Sequence, residues 1–374
     1  MILIFLFLAA CFLAFSNGAN DNFKGVATLF GSGTTNYKGA ITWATLTTIS
    51  GSIAAIFFAS TLVKNFSGKG LVPDTLIQSP EFAISIALGA AITVFFATKI
   101  GMPISTTHSL VGALFGSGMV AVGASFNFAK LGGTFLMPLI VSPLMAAIVS
   151  LVTYTIFRKL RINLGVTKKT CICVGKEYIP ITKTMNFNGL ITVEAETQTG
   201  VRISNEQECI ERYQGDFIGI NSQKMLDLAH YLSAGIVSFA RGLNDTPKIV
   251  GLLIVINTLD VKWGMLTVAI AMALGGLLNA KKVGEMMSKK ITPMNSGQGF
   301  TANLITGLLV TTASIHGLPV STTHVSVGSI FGIGTVTKKA DFKVIQNILL
   351  SWLLTLPIAA ICSAIIYWLL LKIN

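Results

Sequence analysis

Hydrophobic positions along this chain come in runs rather than in alternation. Apolar stretches occupy roughly 2–16, 25–32, 39–62, 82–98, 104–122, 131–157, 225–240, 249–258, 261–280, 300–315, 319–336 and 343–371. A helix that crosses a bilayer needs about 20 apolar residues, so the longer runs predict transmembrane helices. Several runs are too short, and the short ones adjoin Gly, Pro or polar clusters. That pattern predicts helices broken at membrane depth, which are tolerated only where the open backbone lines a cavity or is buried in protein. The expected fold is an all-α polytopic membrane protein of about 12 membrane segments, with re-entrant hairpins and a polar stretch, 158–224, in the middle.

The chain repeats itself. Residues 18–24 read GANDNFK and residues 242–248 read GLNDTPK, so that Gly18, Asn20, Asp21 and Lys24 recur as Gly242, Asn244, Asp245 and Lys248 at an offset of 224. Residues 101–118 read GMPISTTHSLVGALFGSG and residues 317–334 read GLPVSTTHVSVGSIFGIG, with eleven identities at an offset of 216. Trp43 and Trp263 match at an intermediate offset. Two ordered blocks at nearly one period indicate internal duplication. The expected domains are a first transmembrane repeat at 1–157, an insert at 158–224 and a second repeat at 225–374.

Composition narrows the class. Only 11% of residues are charged and mean hydropathy is +0.72, against about 25% charged residues in soluble domains. Soluble enzymes, nucleic-acid binders and disordered chains are excluded together. The net charge of +12 therefore reports loop topology rather than nucleic acid. The insert holds ten of the 27 basic residues and begins with Arg158, Lys159, Arg161, Lys168 and Lys169. The positive-inside rule places it in the cytoplasm. Loop 281–299 and the segment Lys338–Lys343 then also fall inside, giving 17 basic residues inside against five outside. Both termini fall outside, and the halves come out opposite in orientation, the inverted repeat of many secondary transporters.

Residues 1–15 resemble the core of a signal peptide, and Leu8-Ala9-Ala10-Cys11 mimics a lipoprotein cleavage site. No Lys or Arg precedes the run, and the next residues are one copy of the duplicated motif, so we read a retained membrane helix. Cys11, Cys171, Cys173, Cys209 and Cys362 make no paired zinc pattern, and Cys171-Ile172-Cys173 reads as two reduced thiols. The insert has β-prone patches at Thr170–Val174 and Leu190–Val193, predicting a small strand-containing domain, and it carries no catalytic constellation.

The repeated motifs carry the chemistry. Asn20-Asp21 and Asn244-Asp245 place a carboxylate at membrane depth twice, where a partner or an ion is expected. Their oxygens suit Na⁺, Asp can instead carry a proton, and a single Asn-Asp would read as a helix N-cap. In the Pro-x-Ser-Thr-Thr-His segments, Pro103 and Pro319 end the preceding helix and Ser or Thr caps the next. Free N–H groups, the positive helix end and three hydroxyls form an anion cradle. Two such cradles surround a tetrahedral oxyanion, whereas a single copy reads as an ordinary cap. His108 and His324 either donate to the anion or pack as neutral rings. Lys24 and Lys248 pair with Asp21 and Asp245, snorkel, or reach the substrate. Arg241, aligned with Asn17, is expected to cap a helix end near the inner face. The runs Gly112–Gly118 and Gly328–Gly334 suit close helix packing. Pro357 reads as a kink, and Trp352, Tyr367 and Trp368 as interface anchors.

At these motifs the sequence resembles the inorganic phosphate transporter family, whose halves carry Gly-Ala-Asn-Asp and Pro-x-Ser-Thr-Thr-His signatures. The resemblance covers 1–157 and 225–374 and implies an inverted-repeat fold, phosphate import driven by Na⁺ or H⁺, and a homodimer. By motif position it implies phosphate binding by Ser105, Thr106, Thr107, Ser321, Thr322 and Thr323. Asn20, Asp21, Asn244 and Asp245 are implied to hold Na⁺, with Asp21 and Asp245 bordering the phosphate. Asn22-Phe23-Lys24 and Thr246-Pro247-Lys248 depart from the small polar run common in the family. The expected function is a Na⁺-coupled phosphate symporter of the cell membrane with no catalytic residues and no cofactor beyond the coupling ion, in which an acidic pair repels the anion until Na⁺ binds. An H⁺-coupled phosphate symporter, a sulfate transporter, an anion channel and a receptor signalling through 158–224 are the alternatives.

Overall fold

The computed structural model describes residues 1–185, 191–213, 217–256 and 258–373. A proline-free, mostly apolar stretch forms α1 (Ile2–Asp21). Asn36 caps α2 (Tyr37–Phe58) by accepting the Gly39 N–H at 2.8 Å. Ser79 and Pro80 start α3 (Pro80–Ile100), and Gly101 in the left-handed conformation (φ 78°) ends it. After α4 (Thr106–Val122) comes α5 (Met137–Asn163), which absorbs Pro143 without breaking. The second hydrophobic block supplies α7 (Ser222–Val250), α8 (Val261–Asn279), α9 (Ser296–Ile315), α10 (Thr322–Thr337) and α11 (Phe342–Ile373). Of these helices α1, α2, α3, α4, α5, α8 and α11 are long and apolar enough to cross a membrane, seven among the described residues. The short runs near 25–32 and 249–258 contain only short helical pieces, Lys24–Val26, Ala27–Gly31 and Gly251–Val255, with Asn257 outside the described residues.

The chain divides into two compact units. One holds residues 1–155 and 230–374, and the other holds 156–229. In the larger unit the two halves interlock. Gly18 of α1 faces Met272 O of α8, and a methyl there would lie 1.9 Å from that oxygen. Gly242 of α7 faces Thr48 O of α2 in the same way, at 2.1 Å. Gly275 against Phe15 O and Gly51 against Phe239 O complete the set, each at 1.9 Å. These positions correspond at an offset of 224: Gly18 with Gly242, Phe15 with Phe239 and Gly51 with Gly275, while Thr48 stands where Met272 does. The helices that follow exchange too. Gly112 and Gly116 of α4 lie on Leu356 and Ala360 of α11, while Gly328 and Gly332 of α10 lie on Pro143 and Ala147 of α5. Glycine is needed here because two backbones approach within a side chain's width.

Burial is inverted relative to a water-soluble fold. Phe57, Phe96, Ile140 and Leu353 are 66–74% exposed on the outside, a pattern that belongs in lipid. The interior buries Asn17, Asn20, Asp21, Asn22, Lys24, Arg241, Asn244, Asp245 and Lys248 at no more than 3% exposure each.

Four expectations are corrected. Gly101 and Gly317, both with positive φ, turn the chain before Pro103 and Pro319, so glycine rather than proline closes the preceding helices. The second Asn-Asp motif does not sit at a break: α7 runs through it to Val250 with Pro247 inside. Trp352 and Tyr367 are buried in helix contacts rather than placed as anchors, at 6% and 4% exposure. The fourth concerns the smaller unit.

That unit carries an antiparallel sheet of β1 (Thr170–Met185), β2 (Ile191–Asn205) and β3 (Phe217–Asn221) in the order β2-β1-β3, with α6 (Glu206–Arg212) between β2 and β3. The Thr170–Val174 patch lies in β1. Ile191–Val193 lies in β2, and Leu190 falls outside the described residues. The CxC pair is not two free thiols. Cys173 is disulfide-bonded to Cys209, leaving Cys171 free beside it. The fold lays α6 over one face of β1, a long-range juxtaposition that the spacing of the cysteines does not reveal.

Candidate functional site

Local rules place the two helix tips. Ser105 and Ser321 take nearly identical extended conformations (φ −102° and −101°, ψ 116° in both) and cap α4 and α10. Their hydroxyls accept the N–H groups of His108 at 3.1 Å and His324 at 3.2 Å. The tips then meet. Thr323 Oγ1 donates to Ile104 O at 3.1 Å, and Thr107 Oγ1 donates to Val320 O at 3.3 Å. Each tip thus touches the extended residue that leads into the other.

The Asn-Asp motifs lie against this contact. Asp21 accepts Thr106 Oγ1 at 3.0 Å and Asn17 Nδ2 at 3.1 Å. Asn17 Nδ2 also reaches Asp245 at 3.3 Å, so one amide links both carboxylates. Asn20 Nδ2 donates to Thr98 Oγ1 at 2.9 Å and Met102 O at 3.0 Å. Asn244 Nδ2 donates to Val320 O at 3.1 Å, and its oxygen accepts Ser314 at 3.2 Å. Thr98 and Ser314 are themselves 216 positions apart. Lys24 pairs with Asp21, and Lys248 pairs with Asp245 at 3.3 Å.

Arg241 does not cap a helix end. It lies inside α7 at 1% exposure and donates to Asn17 Oδ1 at 2.7 Å and Asn22 Oδ1 at 2.8 Å, with its Nε 3.7 Å from Asp245. The helix continues past it to Val250 and turns it inward. Asn17, Asn22, Thr98, Ser314 and Arg241 are the members of this cluster that sequence reasoning did not nominate. The offset of 224 was the available signal, since it maps Asn17 onto Arg241. The balance of charge is also unlike the expected acidic pair. Three buried cations face two carboxylates, leaving the cluster formally positive by one.

His108 and His324 stand beside the tips with ring centroids 4.4 Å apart. His324 stacks on Trp352 at 3.7 Å and contacts Leu139 O through Nδ1 at 3.3 Å. His108 Nδ1 and His324 Nε2 have no hydrogen-bond partner among the described residues.

An apolar outside, seven helices of spanning length and a buried charged centre define a multi-pass membrane protein. The chain belongs to the phosphate transporter family, whose model matches residues 17–363. It is a transporter and not an enzyme. It is similar to a protein of Haemophilus influenzae named "Putative phosphate permease", with 27% identity across 96% of this chain and 94% of that one. It is also similar to "Inorganic phosphate transporter 2-1, chloroplastic" of Arabidopsis thaliana, with 25% identity across 97% of this chain and 71% of that one. A solved structure described as "The sodium-dependent phosphate transporter" has the same fold, with a TM-score of 0.77, 23% identity and full coverage of both chains.

Proposed function

We propose that this chain imports inorganic phosphate by symport with Na⁺ through alternating access. The single observation that carries the reading is the meeting of the α4 and α10 tips inside a cluster that is formally positive by one. Unpaired phosphate charge inside a membrane protein costs several kcal/mol or more. Helix N-termini, the hydroxyls of Ser105, Thr106, Thr107, Ser321, Thr322 and Thr323, and the buried cations offset that cost. Asp21 and Asp245 accept a hydrogen bond from a phosphate P–OH, which sulfate does not offer at neutral pH. In this reading the repeats 1–157 and 225–374 are inverted and the site alternates between them. The insert 158–224 faces the cytoplasm, the termini face outward, and two copies form a dimer.

Na⁺ is favoured by the family resemblance and by the sodium-dependent transporter of the same fold, with Asn20, Asp21, Asn244 and Asp245 as its oxygens. Coupling to H⁺ is the second reading, because a lysine already contacts each carboxylate. Uptake of radiolabelled phosphate into proteoliposomes at fixed pH, with and without a Na⁺ gradient, separates them. The expected result is Na⁺-stimulated uptake that excess sulfate does not inhibit, with loss of Na⁺ dependence and of phosphate selectivity in Asp21→Asn and Asp245→Asn. No phosphate uptake under either a Na⁺ or an H⁺ gradient would overturn the transport reading.

A further inference from the structure

Lys24 and Lys248 do more than neutralise a neighbouring carboxylate. The Lys24 ammonium is surrounded by Asn20 Oδ1 at 2.8 Å, Ile104 O at 2.6 Å, Thr323 Oγ1 at 2.7 Å and Asp21 Oδ1. The Lys248 ammonium is surrounded by Thr107 Oγ1 at 2.7 Å, Val320 O at 2.8 Å and Asp245 Oδ1 at 3.3 Å. Three of these contacts correspond between the two environments, while Asn20 Oδ1 has no counterpart at Lys248 because the Asn244 oxygen accepts Ser314 instead. Ile104 and Thr107 recur as Val320 and Thr323 at the offset of 216, and Asp21 and Lys24 recur as Asp245 and Lys248 at the offset of 224. Each lysine collects a carboxylate and a carbonyl from its own half and a hydroxyl from the opposite half.

An ion pair needs only the carboxylate, and a snorkelling lysine turns its ammonium toward water. Neither describes a group 1–2% exposed among carboxylate, carbonyl and hydroxyl oxygens. Oxygens of these types at close range are the donors that hard cations select. They include residues that the sequence nominates for Na⁺. A Na⁺ and an ammonium cannot share one such cage, because two like charges a few ångströms apart repel strongly in a low-dielectric interior.

We propose that Lys24 and Lys248 are tethered cations that compete with Na⁺ for these two oxygen cages. They supply fixed counter-charge for the anion and lower the number of Na⁺ ions that must enter with it. The proposal rests on the phosphate-symport reading and refines its coupling.

Binding of radiolabelled Na⁺ to the purified full-length protein tests it, compared across the unaltered chain, Lys24→Ser and Lys248→Ser. Each substitution frees one cage and leaves its other oxygens in place. The expected result is a gain of about tenfold or more in Na⁺ affinity per variant, one additional bound Na⁺, and phosphate uptake that depends more steeply on Na⁺. Unchanged Na⁺ affinity in folded variants overturns the proposal. If neither variant folds, the unaltered chain decides: saturable binding of two Na⁺ at the level of ordinary Na⁺-coupled carriers, or no Na⁺ binding at all, overturns it, and saturable but weaker binding upholds it. Failure of all phosphate uptake with this Na⁺-binding pattern intact would instead strike the transport reading.

Discussion

Arg241 is the single residue on which the buried cluster most depends. It bonds Asn17 and Asn22 from one half while standing 3.7 Å from Asp245 of the other. Removing one partner of a buried charged network typically costs about 3–5 kcal/mol, because the remaining groups stay buried and unpaired. Arg241→Ala is therefore expected to lower the melting temperature in detergent and to abolish phosphate uptake. An Arg241→Ala protein with unchanged melting and uptake would show that these contacts carry little energy. The residue was visible in the sequence only as a mismatch, since its counterpart in the first half is Asn17. Asp21, Asp245 and the hydroxyls were legible for the opposite reason: they occur twice, and duplication separates a buried polar group from a chance N-cap. Which oxygen each lysine meets was not legible, because the hydroxyl on each Nζ comes from the far half of the chain.

Among helices, close backbone approach decides the arrangement. A methyl on Gly242 would lie 2.1 Å from Thr48 O, whereas nothing lies within 4 Å of one built on Gly133. Overpacking a tight contact costs about 1–3 kcal/mol or more. Gly242→Ala should thus lose stability by that amount in a thermal melt of the detergent-solubilised protein, while Gly133→Ala melts as the unaltered chain does. Equal melting of the two would mean that α2 and α7 slide apart at little cost. Hydrophobic runs reveal that such helices exist, and the Gly-rich runs reveal that some pack closely. They do not reveal the partner. The exchange of α4 onto α11 and of α10 onto α5 became visible only in the fold. Helix ends show the same division. Ser105 and Ser321 were readable as caps from local chemistry, yet glycine rather than proline closes the helices before them, because a left-handed residue satisfies the last carbonyls and proline does not.

For the whole chain, the insert is separable on geometric grounds. Ser222 Oγ donates to Thr167 O at 2.7 Å, so the two ends of the segment between them lie together. Segments whose ends meet tolerate removal. Joining Thr167 to Ser222 is expected to leave phosphate uptake within about threefold of the full chain. Loss of uptake in a protein that still reaches the membrane would give the insert an obligatory role and favour signalling or regulation through it. Membrane class, duplication and the nominated acids and hydroxyls all followed from the order of residues, because hydrophobic run length and repeated motifs are local properties of a chain. The meeting of the helix tips, the enclosure of both ammonium groups, the placing of Arg241 at the centre and the Cys173–Cys209 bond needed the folded chain. Each joins residues far apart in sequence, and such pairings are settled by packing between helices and strands rather than by the preference of any one segment.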